Sequence, residues 1–221
     1  MSASAETPPD PGQYEDREWE AIKGHAWTAK DEAALQRHIP RVVAGQVAIY
    51  NHICQVARDL GASNCLDIGT GAGEQYLALQ AQAPGVEYAG VELYQTFHEK
   101  ATAQAVGADI RLLENFLSLP WPDESFDLVT LRTILRYYYP KNGLLMLQEA
   151  WRLVAPGGGL LFWLPCRPSP ELSEPEVMTV RGGSDRGLAI RWPQSVVDGW
   201  LAGKDYTAAA VQDAPAYLVR K

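Results

Sequence analysis

The spacing of apolar residues changes character once along the chain. Up to residue 61 it has the period of helices: Val43, Val47, Tyr50, Cys54 and Ala57 recur at three- and four-residue steps, one apolar stripe on a helix that begins after Pro40. Gly61 is placed to close that helix, since glycine enters the left-handed C-terminal turn without steric cost. Upstream, Glu15–Lys23 and Lys30–Arg37 read as shorter helices, so residues 14–61 predict a helical cap. From residue 62 the pattern becomes short apolar runs, at Asn64–Ile68, Glu87–Glu92, Ile110–Glu114, Phe126–Leu131 and Gly159–Leu164. Helix-like segments at Glu74–Gln82, Tyr94–Val106 and Lys141–Val154 separate them. This alternation predicts an α/β domain whose strands run mostly parallel, with helices on both faces.

After Pro165 the pattern breaks. The Pro-rich stretch CRPSPELSEPE is long enough to serve as a lid or substrate loop. A strand at Leu188–Trp192 then leads into a helix over Pro193–Ala202. Thr207–Gln212 and Ala216–Arg220 flank a turn at Asp213–Pro215, which predicts a closing antiparallel hairpin. Residues 1–13, rich in Pro, Ser, Ala and Thr, have nothing to bury and are expected to form a disordered tail. The expected organisation is therefore this tail, a cap over 14–61 and a single α/β domain over 62–221.

Charge narrows the classes of partner. A formal net charge of −8, with no stretch that gathers Lys and Arg, should repel phosphate backbones and anionic membranes, so neither nucleic acid nor membrane is expected as a partner. The first twenty residues lack the apolar core of a signal peptide, and the expected location is the cytoplasm. Three widely spaced cysteines, Cys54, Cys65 and Cys166, suggest buried thiols and neither a disulfide framework nor a metal site.

The chemistry begins at CLDIGTGAGEQ, residues 65–75. The dinucleotide fingerprint is GxGxxG, with a helix N-terminus facing a pyrophosphate. Here Gly69, Gly71 and Gly73 run as GxGxG and Glu74 stands at the fingerprint's third glycine. A carboxylate there satisfies the helix N-terminus internally and repels a diphosphate. A cofactor without phosphates fits better, and S-adenosylmethionine, with its sulfonium and ammonium, is the natural candidate.

On these residues the chain resembles the class I S-adenosylmethionine-dependent methyltransferases, particularly the small-molecule branch that includes the ubiquinone and menaquinone C-methyltransferases. The likeness covers Leu66 to about Leu164 and is carried by several motifs in order. LDIGTGAG is similar to the family's first motif. VELY, residues 91–94, is like the end of its second strand, which implies that Glu92 accepts hydrogen bonds from both ribose hydroxyls and that Leu93 lies against adenine. LENFLSLPWPDESFDLVTLRTIL, residues 113–135, resembles the third and fourth motifs, with Asn115 where Asp is common and Glu114 as its competitor for adenine recognition. LQEAWRLVAPGGGLLFW, residues 147–163, is like the family's helix and Pro-Gly-Gly turn into the fifth strand. The resemblance implies a Rossmann-like, doubly wound, mostly parallel seven-stranded sheet. It also implies a cofactor site made of Asp67, Gly69, Thr70, Gly71, Gly73, Glu92, Leu93, Asn115, Phe116, Leu131 and Arg132. Phe116 reads equally as an adenine-stacking ring or as core.

Methyl transfer from a sulfonium is an in-line displacement, so positioning and exclusion of water carry most of the work and no universal catalytic motif is needed. The acceptor side is therefore less legible. Its candidates are Tyr137 and Tyr138, with Tyr139 beside them, for an aromatic pocket or for cation–π shelter of the sulfonium, and His25 and His38 as general bases. Trp19, Trp27, Arg136 and Arg167 lie on segments that border the same space, and Arg132 and Arg136 offer a carboxylate receptor or ordinary ion pairs. Two other functions use the same features: reaction at the aminobutyrate chain of the cofactor, and a non-catalytic cofactor-binding partner subunit. The sequence leaves the acceptor and the oligomeric state open.

Overall fold

The computed structural model describes residues 47–221 apart from 165–166, 183–184 and 212–213. The first described helix, α1, runs through residues 47–60 and ends at Gly61, whose φ of 61° confirms the left-handed stop. There follow β1 (Asn64–Ile68), α2 (Glu74–Gln82), β2 (Glu87–Glu92), α3 (Gln95–Gln104), β3 (Asp109–Leu112) and β4 (Phe126–Leu131). A 3-10 turn over Ile134–Tyr137 leads to α4 (Pro140–Leu153), which passes directly into β5 (Val154–Trp163). The chain closes with β6 (Glu176–Gly182), β7 (Asp185–Arg191), α5 (Gln194–Leu201), β8 (Asp205–Val211) and β9 (Ala214–Arg220).

Seven strands form one sheet in the order β3-β2-β1-β4-β5-β9-β8, the first five parallel and the last two antiparallel. The doubly wound sheet and the closing hairpin are thus as the sequence predicts. Because side chains alternate across a strand, each central strand feeds two cores. Leu128, Leu161 and Trp163 pack under α1 and α2. Val129, Leu131, Leu160 and Phe162 pack under α4 and α5. Among the described residues no helix is long and apolar enough to cross a membrane.

Three local readings change. The Pro-Gly-Gly segment is no chain reversal: it lies inside β5, where the register against β4 shifts. Gly158 is needed there, since a Cβ would sit 2.5 Å from the carbonyl oxygen of Asp127. Strand β3 starts at Asp109 and ends at Leu112, shorter than expected, and Leu113 N–H still bonds Glu92 O on β2 at 2.9 Å. Finally, the segment expected as one strand after a loop is a two-stranded antiparallel hairpin, β6–β7, outside the main sheet. It packs against the 3-10 turn at the end of β4. Its position is locked by Trp192, which is 1% exposed, donates from Nε1 to the carbonyl of Tyr138 at 2.9 Å and lies over Gly143 of α4.

Candidate cofactor and acceptor site

Strand order reverses at β1, which has β2 on one side and β4 on the other, and a crevice opens there beyond the carboxyl ends of the strands. The glycine loop fills its floor. Gly69, Gly71 and Gly73 have φ of 76°, 62° and 89°, which side-chain-bearing residues rarely adopt. The loop folds back on β2 through the N–H groups of Gly69 and Thr70, both 3.0 Å from Val91 O. Gly73 supplies the close helix approach that the dinucleotide fingerprint assigns to its last glycine: a Cβ would meet the backbone of Ala101 in α3 at 3.2 Å. Glu74 stands in the first turn of α2.

Glu92 closes the loop from the other side. Its Oε2 accepts from Gly71 N–H at 2.9 Å and its Oε1 from Leu93 N–H at 2.7 Å and Tyr94 N–H at 3.3 Å. Burial pushes its pKa up to about 7, against the pull of these three amides. A carboxylate already oriented by backbone amides keeps further lone-pair sites for hydroxyl donors.

Asp67 and Thr70 do a different job from the one expected. Both are fully buried, and they belong to a polar network beneath the loop. Tyr88 donates to Asp67 Oδ2 at 2.8 Å, Thr130 donates to Oδ1 at 3.1 Å, and Thr70 completes the chain by a 2.6 Å bond to the Tyr88 hydroxyl. Gln75 Nε2 donates to Thr130 Oγ1 at 2.9 Å. Burial raises the Asp67 pKa, while nearby Arg132 and the two hydroxyl donors hold it back. Asp67 therefore anchors the loop from beneath. Tyr88 lies outside the quoted motifs and Thr130 and Gln75 lie unmarked within them, and sequence reasoning missed all three.

The remaining expected residues divide. Leu93 is half-buried against the core, and Asn115 turns its Oδ1 onto Leu117 N–H at 2.9 Å, with a second lone pair left over. Glu114 is exposed. Phe116, Leu131 and Tyr138 lie in the apolar cluster under α4 and α5, at 1%, 0% and 4% exposure. Tyr137 is 43% exposed, with the Arg136 guanidinium 5.2 Å from its ring centre. It is electrostatically close to Tyr94, whose hydroxyl is pushed up to about 12 by burial and by Glu92. Tyr139 is half-buried at the start of α4, and Arg167 is exposed. Thr133, between β4 and the 3-10 turn, holds a φ of 57°, an uncommon conformation for a β-branched residue and a mark of strain at the site. His25, His38, Trp19 and Trp27 lie outside the described residues.

Arg132 follows β4 and lies beside the glycine loop, 7% exposed. Its Nη1 donates to the hydroxyl of Tyr50 on α1, and its guanidinium sits 4.8 Å from that ring's centre. Asp67 and Glu74 are its acidic neighbours.

The glycine loop at the switch point, the acid ending the second strand and the antiparallel strand pair closing the parallel sheet are in keeping with the resemblance seen in the sequence. Residues 66–162 match the methyltransferase-domain family. It is 36% identical over 111 residues to a demethylmenaquinone methyltransferase of Thermus thermophilus, covering 48% of this chain and 49% of that one. A second relative of that name, from Deinococcus radiodurans, is 37% identical over 102 residues, covering 43% and 40%. The chain thus spans about half the length, or less, of the curated relatives it matches. In fold it is similar to an S-adenosylmethionine-dependent methyltransferase from Clostridium acetobutylicum, with TM-score 0.62, 13% identity and 86% and 98% of the two chains covered.

Proposed function

We propose that the protein is an S-adenosylmethionine-dependent methyltransferase that passes the sulfonium methyl in line to a small-molecule acceptor, with residues 14–61 as a cap over the site. The observation that carries this reading is the Glu92 carboxylate bonded to Gly71 N–H across the switch point, a preset receptor for a ribose diol. Its surroundings suit a cation. Asp67 and Glu74 lie beside one arginine and Glu92 lies near Asp67, three acids to one base, so a sulfonium is attracted and a diphosphate repelled. Asn115 and Leu93 border the place for adenine, and Tyr137 is the member of the tyrosine run left to face an acceptor.

The family supports methyl transfer as the reaction, and the relatives' names favour a cyclic, quinone-like acceptor, which the exposed aromatic face of Tyr137 also suits. Transfer needs the acceptor held on the S–C axis with water excluded. The 3-10 turn and the β6–β7 hairpin packed on it are the walls available for that among the described residues. Calorimetry with S-adenosylmethionine and S-adenosylhomocysteine tests the cofactor, and absence of binding at millimolar ligand defeats the proposal. Product analysis tests the reaction. S-adenosylhomocysteine marks methyl transfer, whereas methylthioadenosine marks attack at the aminobutyrate chain.

A further inference from the structure

Arg136 is a half-buried arginine for which the fold supplies no acid. The chain carries 27 acidic residues against 19 lysines and arginines, so acids are not scarce. The other arginines left half-buried find them: Arg111 pairs with Asp109, Arg152 with Glu149 and Asp123, and Arg191 with Glu176. Arg136 has neither a carboxylate nor any other hydrogen-bond acceptor among the described residues. Its Nε is closed off from solvent without a partner, its terminal nitrogens are not closed off, and its guanidinium lies over the ring of Tyr137.

The guanidinium is held in the acceptor half of the crevice. It sits on the 3-10 turn after β4, which is pinned at both ends. A Cβ on Gly69 would come 2.7 Å from Ile134 Cδ1, so the turn starts against the glycine loop, and Trp192 Nε1 donates to the carbonyl of Tyr138 at 2.9 Å. Tyr138 N–H in turn donates to Leu135 O at 3.2 Å. Between these pins Arg136 and Tyr137 form one platform, the guanidinium 5.2 Å from the centre of an exposed ring. Stacking fixes the direction of the guanidinium and leaves its terminal N–H fork open. A half-buried cation without an acid is destabilising, and an anionic ligand removes that cost.

We propose that Arg136 receives a carboxylate of the methyl acceptor while the acceptor's ring lies on Tyr137, so that the acceptor is a small cyclic acid. The inference deepens the methyltransferase reading and rests on it. Of the two roles the sequence leaves to Arg136, a carboxylate receptor or an ordinary ion pair, the second has no acid to supply it among the described residues. A carboxylate fills a guanidinium fork with two charge-assisted bonds, which a neutral ring carbonyl does not.

Matched acids and amides test this on the full-length protein saturated with S-adenosylhomocysteine. The probes are benzoate, 4-hydroxybenzoate and 3-hydroxy-2-naphthoate, each beside its carboxamide, titrated by calorimetry into wild type, Arg136→Met and Arg136→Lys. At least one acid should bind wild type roughly 10- to 100-fold more tightly than its amide. Arg136→Met should remove that difference by weakening the acid alone, and Arg136→Lys, which keeps the charge without the fork, should retain part of it. Affinity for S-adenosylhomocysteine should change by less than about twofold in both variants. If Arg136→Met does not fold, Arg136→Lys decides: a loss of roughly three- to tenfold for the acid alone is expected, and no loss overturns the proposal. Acids that bind no better than their amides, or a preference for the acid that survives Arg136→Met, would also overturn it while leaving the cofactor site standing. Failure of wild type to bind S-adenosylhomocysteine would remove the methyltransferase reading, and this proposal with it.

Discussion

The two halves of the crevice are built on different plans. Around the glycine loop, residues 65–92 supply most of their own bonds: Gly69 and Thr70 to Val91, Gly71 to Glu92, Tyr88 to Asp67 and Thr70. The acceptor half is assembled from separate stretches, with a 3-10 turn after β4, the hairpin β6–β7 and Trp192 holding Tyr138 and Gly143 in place. A site that must hold one fixed ligand can be written into a single βαβ unit. A site that meets a particular acceptor is put together from insertions, which can vary without disturbing the sheet.

The largest effect should come from breaking the acceptor half at its lock. In Gly143→Ala the new Cβ would fall 2.2 Å from Trp192 Cζ2, inside a ring with no free space around it. Urea unfolding should show a loss of about 3 kcal/mol, the upper range for overpacking. If the halves are independent, the folded fraction should still bind S-adenosylhomocysteine with unchanged affinity.

Next comes the cofactor half. Glu92→Ala should cost about 1.5 to 3 kcal/mol of S-adenosylhomocysteine affinity by removing a charged acceptor for two hydroxyls. An unchanged Kd would mean that the ribose lies elsewhere.

The raised pKa of Glu92 sharpens this through pH. With its folded pKa at about 7, above the ordinary value of 4.5, the free protein holds a proton there that the unfolded chain releases. Its contribution to stability is therefore present below pH 4.5 and is lost as pH rises through 7. Ribose hydroxyls need the ionised form, so ligand affinity should move the opposite way, rising up to tenfold per pH unit below about 7 and levelling above it. Glu92→Gln should flatten both profiles.

The smallest effect should follow Tyr137→Phe. If its hydroxyl orients the acceptor, turnover should fall by roughly threefold, the weight of one exposed hydrogen bond, with cofactor affinity untouched. Wild-type turnover in this variant would move the acceptor away from the 3-10 turn.

Legibility in the sequence followed the same division. The parallel strands, the loop glycines and Glu92 could be read because each obeys a local rule: an apolar run, a positive φ, an acid at a strand end. The burial of Phe116, Leu131 and Tyr138 could not be read, because a residue next to a motif can turn its side chain to the cleft or to the core, and spacing alone does not say which. Asp67 was legible by its place, and its bonds were not. Its partners Tyr88 and Thr130 lie on neighbouring strands, 21 and 63 residues away, and no local pattern announces such a pairing.

What the sequence determined by itself is the order of strands and helices and the character of the glycine loop, since period, propensity and backbone strain act within a few residues. What only the tertiary structure decided is which polar groups are paired and which remain for a ligand. Hydrogen bonding inside a protein is settled by proximity across strands, and burial then sets the charge. The placing of Tyr50 on Arg132, with α1 against the end of β4, is the clearest instance: neither residue announces the other, and together they form the charged floor beside the glycines.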